Sequence, residues 1–453
     1  MNSPRVGAGL PHPSAISNQQ SVEGISGESK AFLLQVSDSR KLRTDNSLAH
    51  RNIPITIIGG GIHGVSIAIR LLRDMPAAAK HLAVVDRHPH PLTQWRSKTE
   101  RQGMTFLRSP AVHHITPDAL GIVEYAERHN RTNALAPPYS QPSTQLFWDF
   151  CKSALAELRE HRVYYQSDVA KLRWDKGAGR FPFRLISTNS EGFRSGCVVL
   201  AIGSDDCVYV PPEFVQWQRR YPDQILHASQ FSVDCEDKRD DKGNRIVIVG
   251  GGLTAGTLAK SLGERGHNVA LIARKGLKTE QFDFPPVWLG PKALAEFVSE
   301  TDFQRRYEII QQNRGEGSIT PDIMAALLNT SKVDIYPETR IHNITAEKEG
   351  LSTRRLRVET TCSVMTDVSR VILATGYRFD LRRYGFLTEL LAQHHIPLVC
   401  GLPQLDTDLQ LHPIENLFGS GTIAQLQIGP ASGNIAGAHL AYERLREKIS
   451  ALL

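Results

Sequence analysis

The chain has no C-x-x-C pair. Its six cysteines, Cys151, Cys197, Cys207, Cys235, Cys362 and Cys400, are scattered, and none stands at zinc-site spacing from a histidine. A redox centre built from two neighbouring thiols is therefore excluded, and no metal site is expected. Scattered thiols of this kind are expected to be reduced, buried and structural, in a cytoplasmic setting. No apolar run approaches the roughly 20 residues that span a bilayer, so no stable membrane association is expected. A long basic block is also missing. The net charge of +6 is spread over 453 residues, which suits small anionic ligands better than a nucleic-acid backbone, and no nucleic acid is expected as a partner. The first 51 residues are poor in apolar side chains apart from "AFLLQV". That patch is too short and too far from the start to be a signal-peptide core, and residues 1–51 read as a disordered lead.

Elsewhere the composition is that of a globular protein. Hydrophobic residues make up 41% and charged residues 22%, enough apolar material for two or three domains over this length. Glycine is placed twice in the same way. The run "IIGGGIHGVSIAIRLL" puts Gly59, Gly61 and Gly64 in the pattern G-x-G-x-x-G, after an apolar strand "IPITII" and at the start of a helix. A second apolar strand, "HLAVVDRHP", ends at Asp86, 22 positions after Gly64. This is a βαβ unit with an acid at the offset a ribose requires. The run "RIVIVGGGLTAGTLAKSL" repeats the design with Gly250 and Gly252, but Ala255 stands at the third glycine position. Each unit is followed by further strands, the last ending in "LAIGS" or "LATGY".

These patterns predict an α/β protein with two Rossmann-like dinucleotide-binding domains. A closing strand and helix, "NLFGSGTIAQLQIGPASGNIAGAHLAYERL", has no cradle of its own and is expected to complete the first domain. The second domain (243–380) is then an insert between 52–235 and 381–453. The closing helix is expected to start near Ser432. "DCEDKRDDKGNR" reads as a solvated linker, the His113-His114 pair as exposed loop residues, and Trp95 and Trp148 as core.

In such a cradle the first two glycines allow a tight turn and close approach of a pyrophosphate, which sits at the helix N-terminus among free N–H groups. Gly59, Gly60, Gly61, His63 and Gly64 are the first candidate phosphate site. Asp86, with Arg87 beside it, is placed for the adenosine ribose, and its carboxylate would repel a 2′-phosphate, so this site takes FAD or NAD. The second site is Gly250, Gly252, Thr254 and Ala255. Its second strand ends in Arg274 and Lys275 with no acid, which favours the 2′-phosphate of NADPH. One cradle holds a resident flavin dinucleotide and the other an exchanging nicotinamide.

The set of motifs "GGGIHG", "QWRSKTERQGMTFLRSP", "GGGLTAG", "ILHASQF", "LATGY" and "FGSG…GPASGNIAGA" resembles the flavin-dependent monooxygenases of the lysine/ornithine N-hydroxylase group, over nearly everything from residue 52 onward. The resemblance implies FAD and NADPH as cofactors, Met104 near the flavin ring, and Arg108 as the candidate catalytic residue facing a substrate pocket. Gly203, Gly376, Tyr377, Gly421 and Gly429 are expected cofactor contacts on the same ground. It further implies transfer of one oxygen atom from a flavin hydroperoxide to a small nucleophile, an amine or amino acid. Thr105, Thr144, Leu146 and Ser369 depart from that group's usual residues, so the amine itself stays open, as does self-association. A flavoprotein reductase or dehydrogenase without oxygen insertion, and a non-catalytic FAD-binding redox sensor, share the same cradles.

Overall fold

Val, Ile and Leu dominate the strands that carry the two cradles, and such strands are stable where both faces are covered. The computed structural model, which describes residues 48–236, 245–347 and 355–453, arranges them so. Nearly all of the proposed lead (1–51) and most of the "DCEDKRDDKGNR" linker lie outside the described residues.

The first sheet has seven strands. Asn52–Ile58 is flanked by Leu82–Asp86 and Gly192–Leu200, both parallel to it, with Ile55 opposite Leu82 and Ile58 opposite Leu200. Tyr164–Gln166 extends the parallel side. On the other side Phe183–Ser187 pairs antiparallel with the first half of Gly192–Leu200, and Val169–Trp174 pairs antiparallel with Phe183–Ser187. Its second half pairs with Leu417–Gly419, a strand from near the C-terminus.

The second sheet repeats this plan. Arg245–Val249 lies between Asn268–Ile272 and Val364–Leu373, with Val333–Tyr336 beyond, and Leu356–Thr360 and Ile341–Ala346 as the antiparallel pair. Its seventh strand comes from the chain before the cradle: Ile225–His227 pairs with Val371–Leu373. The expected range of 52–235 for the first domain therefore overreaches, because residues 225–227 belong to the second sheet. The opposite exchange occurs farther on. Phe284, Trp288, Phe297 and Ile310, expected with the second cradle, are buried in the core of the first sheet with Leu426 and Ile428.

The helix Ile62–Asp74 buries Val65, Ile67, Ala68, Ile69, Leu71 and Leu72 and packs on the closing helix Ile435–Ser450. There the Tyr442 hydroxyl donates to Asp74 at 2.6 Å. Trp95 and Trp148 pack against the first core as expected. Two expectations fail. Cys151, Cys197 and Cys207 are buried, but Cys235, Cys362 and Cys400 are exposed. His114 is fully buried, its imidazole beside Phe150 at 5.0 Å and its carbonyl accepting from His439. A loop can bury histidines when other segments cover it. Among the described residues, no helix is long and apolar enough to cross a membrane.

Candidate active site

The first cradle is built by a backbone that only glycine permits at two points. Gly59 has φ +114°, and a Cβ there would come within 2.2 Å of the Ala201 carbonyl oxygen. A Cβ at Gly64 would come within 1.9 Å of the Gly59 carbonyl oxygen. Gly61 is different: its backbone is ordinary extended chain, and a Cβ would meet nothing within 4 Å. The helix that follows has no side-chain cap. Open space beside free N–H groups at a helix start fits a pyrophosphate.

Asp86 lies at the end of its strand, as expected, and its oxygens hold the cradle loop. One accepts from the Gly60 N–H at 2.6 Å, and the other from the His88 backbone and ring at 2.7 Å. Burial would raise its carboxyl pKa, but the hydrogen bonds from His88 and Gly60 outweigh that and lower it. Arg87 pairs with Asp206 at 3.2 Å and Asp168 at 3.7 Å. His63 donates or accepts at Nδ1 with the Ser420 hydroxyl at 2.9 Å. Burial pushes its pKa down to about 4, against an upward pull from the backbone of Asn434 and Gly433. The imidazole is thus neutral and ties the cradle helix to the closing segment. Gly421, at φ +90°, lies against the same ring, and its carbonyl accepts from Ser432.

Gly429 is buried under the Trp288 ring, with a Cβ position 3.3 Å from that indole, and is not among the residues that line the main cleft. The closing helix starts at Ile435 with Asn434 as its N-cap, later than the expected Ser432, because Gly429–Ala431 form a separate 3₁₀ turn. Asn434 and Ala436 are the residues that face the main cleft.

That cleft, of about 1340 Å³, runs along the second cradle. Gly250, Gly252 and Thr254 line it, followed by Arg274 and Lys275 at one end and Gly376 at the strand tip. Gly250 has φ +152°, and a Cβ would meet the Ala374 carbonyl oxygen at 2.4 Å. Ala255 is fully buried with its methyl accommodated, so this helix does not need a third glycine. Gly376 has φ +76°, and its carbonyl accepts from the Tyr209 N–H at 3.0 Å. Gly203, at φ +68°, holds the matching tip of the first sheet, where the Tyr384 hydroxyl donates to its carbonyl at 2.8 Å. Tyr377 turns away from the cleft lining. Its ring lies 4.2 Å below the Lys98 ammonium and 5.5 Å from His227.

The segment Met104–His113 joins the two halves. Met104 is half-buried against the first core, its carbonyl held by the Thr144 hydroxyl at 2.7 Å. The unusual residue Thr144 thus has a structural task, and Leu146 is core. Arg108 lines the cleft, but its guanidinium is committed to protein groups: Gln281 and Glu280 carbonyls at 2.8 and 2.9 Å and the Ser318 hydroxyl at 2.7 Å. Arg108 is a tether between segments of the two halves.

Three cleft residues, Asp283, Arg314 and Glu316, carried no motif signal. Asp283 pairs with Arg314 at 2.8 Å and accepts from Asn434 at 3.1 Å. Glu316 pairs with both Lys275 at 2.9 Å and Arg274 at 3.2 Å. The flanking Gly315 and Gly317 marked a turn at Glu316; nothing in the sequence showed that it meets two cations some 40 residues away.

Comparison with known proteins agrees with this geometry. The family model for L-lysine 6-monooxygenase/L-ornithine 5-monooxygenase matches residues 121–379. No curated protein matches the chain by sequence. Among solved structures, ornithine hydroxylase from Pseudomonas aeruginosa is similar at 18% identity and a TM-score of 0.69, covering 88% of this chain and 99% of that one. The Kutzneria sp. 744 ornithine N-hydroxylase, in a form with FADred, NADP+ and L-orn, gives 17% identity and 0.70 over 88% and 99%. Bacillithiol disulfide reductase from Bacillus cereus follows at 16% and 0.52, again over 88% and 99%. At these identities the structures show a shared two-dinucleotide fold, and the family match covers more than half of the sequence: the chain belongs to the L-lysine 6-monooxygenase/L-ornithine 5-monooxygenase family.

Proposed function

We propose that this flavin monooxygenase uses NADPH and O₂ to hydroxylate the amine of a small amino-acid-like substrate. The observation that carries this reading is the shared cleft. The second cradle, the Arg108 segment that follows Met104, and Asn434 at the start of the closing helix all line one space. Gly59, Gly60, Gly61 and Gly64 would hold the FAD pyrophosphate, with Asp86 and Arg87 at its ribose end. Gly250, Gly252, Thr254 and Ala255 would hold that of NADPH, with Arg274 and Lys275 at its 2′-phosphate. We assign residues 52–224 and 381–453, with the 284–310 stretch, to the FAD-binding unit, and 225–283 with 315–380 to the NADPH-binding unit.

FAD, once bound, would supply the redox chemistry that links NADPH and O₂ to the substrate. The protein's task is positional. His63, neutral through burial, locks the first cradle to Ser420 without adding charge to the cradle. Arg108 and the Arg314–Asp283–Asn434 chain fix the 280–283 segment against the closing helix. Fixed polar groups of this kind hold a reacting pair in register and limit water.

Measuring NADPH oxidation, hydrogen peroxide and hydroxylated product across a panel of amines tests the proposal. An amine that raises hydroxylated product at the expense of peroxide is the expected result. Electron transfer that ignores O₂ and forms no hydroxylated amine would leave a reductase in its place.

A further inference from the structure

The second strand of the NADPH cradle lacks a terminal carboxylate in sequence, yet the structure supplies one. Glu316 lines the cleft and pairs with the two cations at the strand end, Lys275 at 2.9 Å and Arg274 at 3.2 Å. We propose that Glu316 is a built-in occupant of the 2′-phosphate subsite, and that by competing there it sets how strongly the enzyme prefers NADPH over NADH. The inference rests on the reading of Arg274 and Lys275 as the 2′-phosphate cations.

Its placement supports competition. Gly315 and Gly317, at φ +60° and +100°, form an arch that carries Glu316, and the Gly317 Cα lies 3.8 Å from the Cβ position of Gly252. The arch therefore sits on the phosphate turn of the cradle. It is held beyond by the Arg108–Ser318 hydrogen bond at 2.7 Å. The three charged side chains are 65%, 69% and 51% exposed, so their ion pairs are screened by water and exchange readily. The two cations also keep Glu316 ionised, Lys275 first, by lowering its carboxyl pKa.

Charge decides which ligand Glu316 opposes. A 2′-phosphate brings close to two negative charges against one on a carboxylate, so it takes the cations and must push Glu316 aside. A free 2′-hydroxyl carries no charge, so it neither competes for the cations nor repels the carboxylate. Glu316 thus weakens NADPH binding and leaves NADH binding nearly untouched.

The test titrates adenosine 2′,5′-bisphosphate and 5′-AMP calorimetrically into the full-length holoenzyme. Glu316→Gln is expected to tighten the bisphosphate about five-fold, in line with the modest strength of exposed pairs, with 5′-AMP unchanged. The kcat/KM ratio of NADPH to NADH should rise by a similar factor. An unchanged or weaker bisphosphate affinity in Glu316→Gln would overturn the inference. In that case, a tenfold loss in the double variant R274S/K275S would leave the cation reading intact. If R274S/K275S binds the bisphosphate like the wild type, the cation reading itself fails and the inference falls with it.

Discussion

Three glycines of one cradle should respond to the same substitution in two different ways. Gly59→Ala forces an alanine to φ +114° and drives its methyl into the Ala201 carbonyl oxygen at 2.2 Å. Backbone strain of that kind costs about 1–3 kcal/mol, and overpacking costs about 1–3 kcal/mol more. Gly64→Ala meets the Gly59 carbonyl oxygen at 1.9 Å, so it too carries the overpacking cost, at the upper end because the backbone of the turn must move. Gly61→Ala meets nothing within 4 Å and has φ −77°. It should leave the empty fold unharmed, or stabilise it by about 0.4–1 kcal/mol through the unfolded chain. Its methyl would instead hold the pyrophosphate away from the turn and weaken FAD at least tenfold, about 1.4 kcal/mol. Thermal unfolding of flavin-stripped protein, followed by FAD titration, separates the two effects. At about 2–4 °C per kcal/mol, Gly59→Ala and Gly64→Ala should melt several degrees to more than ten degrees lower. If Gly61→Ala melts as low as Gly64→Ala, or binds FAD like the wild type, then the space beside Gly61 is not the phosphate site.

Asp86→Asn keeps the size of the side chain but removes the charge that holds Gly60 and His88; flavin retention on gel filtration should fall well before the melting temperature does. Arg108→Ala should slow flavin reduction by NADPH as well as turnover, since the 280–281 segment loses its tether. A stopped-flow reduction rate equal to wild type would refute the tether and favour the substrate-anchor role. Acid should destabilise the fold through His63, His114 and His439, whose pKa values burial depresses to about 4. The unfolded chain binds their protons first, near pH 6.5. The stability they contribute is therefore complete above pH 6.5 and is lost as pH falls toward 4, about 2 kcal/mol apiece by pH 5. Urea unfolding at pH 8 and pH 5 should show the loss, and His114→Asn should reduce it by about one third.

Much of the architecture could be read from local pattern. A strand buried on both faces must be apolar along its length, and a phosphate turn must have glycine where φ is positive, so the runs at 52–86 and 245–275 are enough to mark two dinucleotide units. The returning strand Leu417–Gly419 followed from a simple deficit, a strand and helix with no cradle of their own. Pairing across long sequence distances left no such trace. Ile225–His227 is short and apolar in either sheet, and only the free edge of Val364–Leu373 decided where it went. Gly429 was expected beside a cofactor, and the group that lies against it here is Trp288, brought there by packing from another segment. Arg108 and Glu316 show the same limit for charge. Sequence set their charges; which carbonyls and cations those charges meet depended on segments brought together only by the folded chain.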